Sequence, residues 1–254
     1  MSWVQSKSRI LSVSVAGALL CGAIGAAPAA AEDALIVKST VVDYKVGTKV
    51  KEADEITLQA GDVVTVLTRR GTRTMRGPGT FVVGADPKSN RARFADLTRK
   101  RAALRTATGG VRTANTGSDT ARPTNPNLYY LDVERSGNVC VRDRSELLLW
   151  RPYTATSATY TLSETSDEAG AQILSLTIPF AERKSFTTVD GERFRVEDGA
   201  SYTISNAQTA SVTAITVIDL GSDIKTADAL AEALYQKGCM AQFELLTDRL
   251  ASGG

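Results

Sequence analysis

The segment Glu55-Ile-Thr-Leu-Gln-Ala-Gly-Asp-Val-Val-Thr-Val-Leu67 decides the fold of the N-terminal part of this 254-residue chain. Ile56 and Leu58 alternate with polar residues, and Val64 and Val66 repeat the same spacing. A period of two gives a β-strand one buried and one solvated face, and the Ala-Gly-Asp sequence between the two runs is typical of a turn. We therefore predict two adjacent strands here.

Strand signals continue on both sides of this segment. The Gly-Pro-Gly sequence at 77–79 favours a sharp corner, because glycine tolerates positive φ and proline fixes φ without offering a backbone donor. The prediction is a small β-barrel or sandwich over 32–84. Its strands are expected at about 34–42, 55–60, 62–68, 73–76 and 80–83.

An ordered set of turn glycines and strand residues carries a family resemblance. It consists of the apolar opening strand, Tyr44-x-Val46-Gly47, Ile56-x-Leu58-x-x-Gly61, Val64-x-Val66 and Arg76-Gly-Pro-Gly-Thr-Phe81. This order resembles the FecR-type periplasmic β-domain, and also the opening domain of uncharacterised proteobacterial envelope proteins. The resemblance implies a small β-domain that works in the cell envelope.

The first residues have the pattern of an export signal. Lys7 and Arg9 precede an apolar run over 10–24, and an A-x-A site at 29–31 follows. We therefore predict a signal peptide over 1–31 and a mature protein that is periplasmic or secreted.

The same residues have two alternative interpretations besides a cleaved signal peptide. A retained membrane anchor is less favoured, because a span needs about 20 apolar residues and this run is shorter. Lipidation at Cys21 is also less favoured, since Leu20 is larger than the small residue that lipoprotein processing requires.

The mature chain keeps two cysteines, Cys140 and Cys239. In an oxidising compartment two well-separated cysteines of one folded unit usually pair, so we predict a structural disulfide. A reactive thiol is the alternative, but neither cysteine lies in a C-x-x-C motif or beside an evident base.

Histidine is absent from the sequence. This excludes the Ser-His-Asp triad, the Cys-His dyad and histidine-ligated zinc. The acidic turn at 190–192 lacks the ligand pattern of a calcium loop. We therefore expect no enzyme, no cofactor and no metal, with carboxylate-only catalysis as a distant alternative.

Positive charge is concentrated in one segment. The chain has 30 Lys plus Arg against 28 Asp plus Glu, and removal of Lys7 and Arg9 leaves the mature part at zero. Residues 69–112 hold twelve basic residues against Asp86 and Asp96, a net charge of +10. Such asymmetry favours a surface that meets an anionic partner, although a solvated charge run is the common alternative. The candidate binding residues are Lys88, Arg91, Arg93, Arg99, Lys100, Arg101 and Arg105.

The region over 85–127 separates the two β-rich halves. Helical spacing predicts one short basic helix over 94–104. Residues 106–127 are rich in Thr, Gly, Asn, Ser and Pro and have few apolar side chains, which predicts a flexible linker.

The region over 128–222 is typical of an immunoglobulin-like β-sandwich. Asp198-Gly-Ala-Ser-Tyr202 places a tyrosine after a turn at the start of a late strand, as in a tyrosine corner. The order Leu149-Trp-Arg-Pro152, Tyr160 and Tyr202 is also similar to the second domain of the same envelope proteins. The expected strands are 129–134, 138–142, 146–151, 158–164, 172–178, 184–188, 193–197, 201–206 and 211–219.

Residues 223–254 are predicted to form two amphipathic helices, 226–236 and 240–250, that pack on the sandwich. A partner-binding helix is the functional alternative. The fold class is thus mainly β, with a small N-terminal β-barrel or sandwich, an immunoglobulin-like β-sandwich and two C-terminal helices.

Two functions are consistent with these features. The first is a non-catalytic interaction or scaffold protein that binds another envelope protein. The second is an electrostatic binder of an anionic envelope polymer or a lipid head group at a membrane surface, through the basic segment. A nucleic-acid partner is not expected.

Overall fold

A computed structural model describes residues 32–99, 122–165, 174–191 and 193–252. Within them the chain is mainly β, with fourteen strands in four sheets and three short helices, and this predicted fold class is confirmed. The elements are β1 (Asp33–Ser39), β2 (Lys49–Lys51), β3 (Glu55–Leu58), β4 (Val63–Leu67), β5 (Thr72–Arg76), β6 (Gly79–Val82), α1 (Arg91–Thr98), β7 (Tyr130–Asp132), β8 (Gly137–Val141), β9 (Glu146–Trp150), β10 (Ala158–Glu164), β11 (Ser175–Phe180), β12 (Phe186–Asp190), β13 (Ser201–Asn206), β14 (Val212–Asp219), α2 (Ala227–Gln236) and α3 (Met240–Ala251).

The N-terminal strands form an open sandwich. A four-stranded sheet has the order β2-β1-β4-β5, and β3 pairs with β6 in a separate two-stranded sheet. Ile36 and Val64 from the first sheet share one core with Ile56 and Leu58 from the second, and each is at most 2% exposed. Of the two predicted forms, the described strands show the sandwich and no closed barrel.

The corner at Gly77 requires a glycine. A Cβ atom at this position would lie 1.9 Å from the carbonyl oxygen of Gln59, which is far inside van der Waals contact. The Gly77–Pro78 peptide bond is cis. This corner directs the chain from β5 into β6, as the Gly-Pro-Gly sequence predicts.

The second half is a sandwich of a five-stranded and a three-stranded sheet. Their orders are β11-β10-β13-β14-β8 and β12-β9-β7, with parallel pairing only between β8 and β14 and between β7 and β9 among the described strands. Leu149, Leu162, Ile204 and Val217 lie in the shared core with at most 1% exposure. β10 and β13 have the bounds that the sequence predicts.

The predicted strand over 193–197 is wrong. Phe194 and Val196 are buried in alternation, as a strand would bury them. However, the backbone N–H groups of Arg193 and Phe194 both donate to the carbonyl of Asp190 and form a turn. The apolar spacing is thus satisfied by a loop that packs on the core without joining a sheet.

The tyrosine corner is present. The backbone N–H of Glu197 donates to the hydroxyl oxygen of Tyr202 at 2.8 Å, and the ring is 1% exposed. Phe194 packs edge-on against this ring, with centroids 5.8 Å apart. The contact fixes the loop that leads into β13.

The C-terminal helices are shared between the two halves. Leu230 and Leu234 of α2 and Phe243 of α3 form one core with Leu35 of β1 and Leu97 of α1. The sequence predicted packing on the sandwich alone, whereas the helices also pack on the N-terminal sheet. The buried stripe of α2 packs on β1, and α3 contacts both β8 and β5.

The predicted disulfide between Cys140 and Cys239 is confirmed, and their Cα atoms are 5.9 Å apart. Cys140 points into the helical core, whereas its neighbours Val139 and Val141 point into the sandwich core. This is the alternation that a strand imposes. The bridge therefore fastens the start of α3 to the edge strand β8.

Several predictions concern residues outside the described ranges. These are the signal peptide over 1–31, the alternative at Cys21, and the part of the helix and linker over 100–121. The described helix α1 starts at Arg91, three residues before the predicted start, and ends at Thr98, because Arg99 is extended; the predicted helix over 94–104 is therefore misplaced at both ends. Among the helices described, none has the length and apolarity needed to cross a membrane. The proposed domain boundaries stay predictions.

Candidate binding cleft

Three connections meet at one end of the sandwich. β8 and β14 run parallel, so both end at the same edge, where Val141 pairs with Asp219. β12 ends beside the start of β9, and the N–H of Gly191 donates to the carbonyl of Ser145 at 2.8 Å. The loops after β8, β12 and β14 therefore surround one site, because strand order rather than sequence proximity brings them together.

These loops enclose an open cleft of about 1430 Å³. Its floor contains Leu131, Val141, Leu147 and Val196, which also belong to the sandwich core. The C-terminal end of α1 reaches the rim through Arg99. The floor is thus rigid and apolar, and the rim is polar.

Four arginines line the cleft, and they differ in their partners. The Nε atom of Arg144 pairs with Asp219 at 2.8 Å, and Arg99 approaches Asp96 at 3.5 Å. Arg142 and Arg195 are exposed and form no ion pair with any residue of the described ranges. These two guanidinium groups keep their donors available.

The carboxylates of the cleft are already engaged. Asp143 accepts hydrogen bonds from the N–H and the hydroxyl of Ser145, at 3.0 and 2.5 Å. Asp219 accepts from Arg144 and from the N–H of Gly221. The other two carboxylates on the rim have partners of their own; they are Glu146 and Asp190. The cleft therefore offers free positive groups and no free negative ones among these residues.

Two side chains of the cleft have shifted pKa values. The Gly221 N–H and the Arg144 guanidinium lower the pKa of Asp219, against the opposing effect of burial. Burial raises the pKa of the Tyr129 hydroxyl, and the charge of Arg142 partly offsets this. Asp219 thus stays ionised and paired, while Tyr129 stays a neutral hydrogen-bonding group near Arg142.

The predicted binding residues fall into three groups. Lys88 precedes α1, and Arg91 and Arg93 lie in its first turn; all three are exposed and have no ion-pair partner among the described residues. Arg99 lies at the other end of α1, on the rim of the cleft. The remaining predicted residues lie outside the described ranges; they are Lys100, Arg101 and Arg105.

Part of the basic segment is structural. Arg70 binds Glu52 and the carbonyl of Gly84, and Arg73 binds the carbonyls of Val82 and Ala85. These contacts hold the N-terminal sheets together. The net charge of +10 over 69–112 is therefore not one continuous free surface.

Sequence reasoning did not single out Arg142 and Arg195. They are far apart in the chain and belong to no recognised motif. A usable signal would be charged residues in loops that follow successive predicted strands, because such loops collect at one end of a sandwich. That signal would locate the loop end of the sandwich. It would not show which of its arginines form ion pairs within the protein and which stay free.

The described residues contain no group of three or more Cys, Asp or Glu side chains that is placed to hold a metal ion. No family model, no curated protein and no solved structure matches this chain significantly. The resemblance to the FecR-type domain and to immunoglobulin-like sandwiches therefore stays a prediction.

Proposed function

We propose that this chain is an exported, non-catalytic interaction protein that binds another envelope protein through the cleft at the loop end of its sandwich. The observation that carries the proposal is that the cleft combines two partly exposed apolar side chains, Leu148 and Tyr129, with two unpaired arginines, Arg142 and Arg195. Protein interfaces commonly join an apolar centre to a polar rim, and arginine is enriched in them. The absence of histidine from the sequence supports contact rather than catalysis.

The charge pattern of the rim favours a polypeptide over a dense polyanion. Four carboxylates stand among the four arginines, so the lining has no net charge. A polymer of closely spaced phosphates or uronates would meet repulsion from these carboxylates. A polypeptide can place a few negative groups at the free arginines and avoid the acidic positions.

The test is capture from an envelope extract with the purified full chain. The variant Arg142→Ser/Arg195→Ser removes the free guanidinium groups. The matched control Arg183→Asn/Lys184→Ser removes the same charge from an exposed loop at the opposite end of the sandwich. Capture by the wild type and the control at moderate salt, with loss in the cleft variant, is the expected result. Equal capture by all three, or no capture by the wild type, contradicts the proposal.

A second candidate function rests on α1. Arg91 and Arg93 lie in its first turn, where the helix dipole disfavours positive charge by about 0.3–1 kcal/mol per residue. Both are exposed, and neither has an ion-pair partner among the described residues. Positive charges that lower the stability of the helix at these positions favour a role in binding an anionic polymer or a lipid head group.

Salt and lipid composition separate the two candidates. Each basic residue near an anionic membrane contributes about 1 kcal/mol, and this attraction is screened over about 10 Å at 0.1 M salt. Sedimentation with vesicles that contain phosphatidylglycerol measures it directly. Binding that disappears in Arg91→Ser/Arg93→Ser and at moderate salt supports the second candidate. Binding that is absent, or equal with neutral vesicles, contradicts it.

A further inference from the structure

The cleft has an unbalanced set of hydrogen-bonding groups. A guanidinium has five N–H donors and no acceptor, and Arg142 and Arg195 use none of these donors on the described carboxylates. The acidic residues of the rim are engaged, as shown for Asp143 and Asp219. The groups that complete this site are therefore hydrogen-bond acceptors with negative charge, and a carboxylate matches a guanidinium in a bidentate pair.

The size and the floor of the cleft define the rest of the ligand. Pockets for small molecules commonly measure about 300–1,000 Å³, and this cleft of about 1430 Å³ is larger. Its base residues, such as Leu147 and Val196, are already buried, so the apolar surface open to a ligand is that of the partly exposed Leu148 and Tyr129. The ligand thus needs apolar groups between its charges.

We infer that the cleft binds an extended acidic peptide segment in which glutamate or aspartate side chains flank an apolar residue. The carboxylates bind Arg142 and Arg195, and the apolar side chain covers Leu148 and Tyr129. Tyr129 is half-buried and lines the same cleft, so its hydroxyl adds a neutral hydrogen-bond donor to the site. This inference rests on the proposed function and specifies the partner of the same site.

Fluorescence anisotropy with three dye-labelled nine-residue peptides tests the ligand class. The probe has two glutamates that flank one leucine among glycine and serine residues, one analogue has glutamine for both glutamates, and the other has alanine for the leucine. We expect the probe to bind the wild type, and each analogue to bind at least about tenfold more weakly, which corresponds to about 1.4 kcal/mol. Equal binding of the probe and the glutamine analogue overturns the inference.

Variants of the protein locate the binding site. Arg142→Ser/Arg195→Ser should weaken probe binding by about tenfold or more, and Arg142→Lys should have a smaller effect because lysine keeps the charge but not the fork. The control Arg183→Asn/Lys184→Ser should stay within about twofold. Urea unfolding first establishes that each variant folds, and the single variants Arg142→Gln and Arg195→Gln replace the double variant if it does not. Unchanged affinity in folded cleft variants overturns the inference.

A polyanion probe and the extract experiment separate the remaining outcomes. Inorganic polyphosphate that binds more tightly than the peptide, and through the same arginines, would assign the cleft to a polyanion and overturn the peptide class. If no peptide binds while capture from the extract still depends on Arg142 and Arg195, the inference is wrong and the proposed function stands. If the capture fails as well, both are wrong.

Discussion

Replacement of Gln242 by leucine tests how the edge of the sandwich is closed. Gln242 is 8% exposed and lies on α3 against the edge strand β8. Its Oε1 atom accepts the N–H of Cys140 at 2.7 Å, and its Nε2 atom donates to the carbonyls of Cys140 and Leu128 at 2.7 and 2.9 Å. The side-chain amide thus takes the place of a neighbouring strand at this position.

The expected loss follows from the three backbone groups left behind. Leucine has nearly the volume of glutamine, so the change removes the hydrogen bonds without a large cavity. Each buried polar group left unsatisfied costs about 1–3 kcal/mol, and a carbonyl costs less when it can reorient. The free energy of unfolding should fall by about 3–5 kcal/mol, a large part of the about 5–15 kcal/mol typical of a folded domain.

Urea unfolding followed by the fluorescence of the buried Trp150 measures this loss. The matched control is Gln236→Leu, because Gln236 is exposed on α2 and its amide binds only Glu232 among the described residues. The control should change stability by less than about 0.5 kcal/mol. Hydrogen exchange at the amide of Cys140 should become faster in Gln242→Leu alone. A loss below about 1 kcal/mol, or unchanged exchange, would refute this account of the edge.

The variant Gln242→Glu adds a pH dependence to the same test. A carboxyl group at this position faces two carbonyl oxygens in a buried site, which raises its pKa in the folded state above the unfolded value of about 4.3. A group with a raised folded pKa contributes its stability below the unfolded pKa and loses it as the pH rises through the folded pKa. The free energy of unfolding of this variant should therefore fall further below that of the wild type as the pH rises from about 4 to 8. A difference in free energy of unfolding that is constant over this range would contradict the buried position of residue 242 beside two carbonyl oxygens.

Three further changes probe other contacts, each by the free energy of unfolding in urea. Joint replacement of Cys140 and Cys239 by serine should cost up to about 4–5 kcal/mol, because the bridge spans 99 residues, and unchanged stability would contradict the bridge. Arg151→Lys should cost about 2–3 kcal/mol, because the guanidinium of this 2% exposed residue donates to two loop carbonyls that one ammonium group cannot reach together. Unchanged stability would show that the two-donor geometry of arginine is not needed here. Tyr202→Phe should cost about 1 kcal/mol by loss of the corner hydrogen bond, whereas Tyr153→Phe, at an exposed ring, should cost nothing, and equal effects would argue against the corner.

The elements that the sequence predicts well are those with strict local patterns. β10 alternates between buried and partly exposed residues, and its turns are marked clearly, so its bounds at 158–164 follow from periodicity alone. The disulfide was predictable from the expected export of the chain, which stays a prediction, and from the face of its strand on which Cys140 lies. β2 escaped prediction because Lys49–Lys51 offers one apolar residue, and its strand geometry comes from pairing with β1.

The packing of the C-terminal helices could not be predicted in the same way. Their amphipathic pattern shows that apolar side chains are buried, but not which sheets they cover. Tyr235 illustrates the gap: a Cβ atom at Gly47 would lie 2.1 Å from its ring, so the turn after β1 and the helix α2 fit only with glycine there. Gly47 has φ of +84° and is read from sequence as a turn residue alone. The contact with the Tyr235 ring, which is the second reason for a glycine at position 47, forms only in the folded chain.

The candidate cleft also exists only in the folded chain. It shows why counting charged residues along the sequence does not identify a binding site. Arg70 and Arg73 belong to the basic segment but are bound to acceptors within the N-terminal sheets. Arg151 is buried and holds a loop. Arg142 and Arg195 lie in the second half, outside the basic segment, yet they keep their donors free because strand order places them on one rim whose acidic residues are already engaged. A guanidinium is available for a partner only where the fold supplies no acceptor, so binding capacity depends on the packing around each arginine rather than on the local density of arginines.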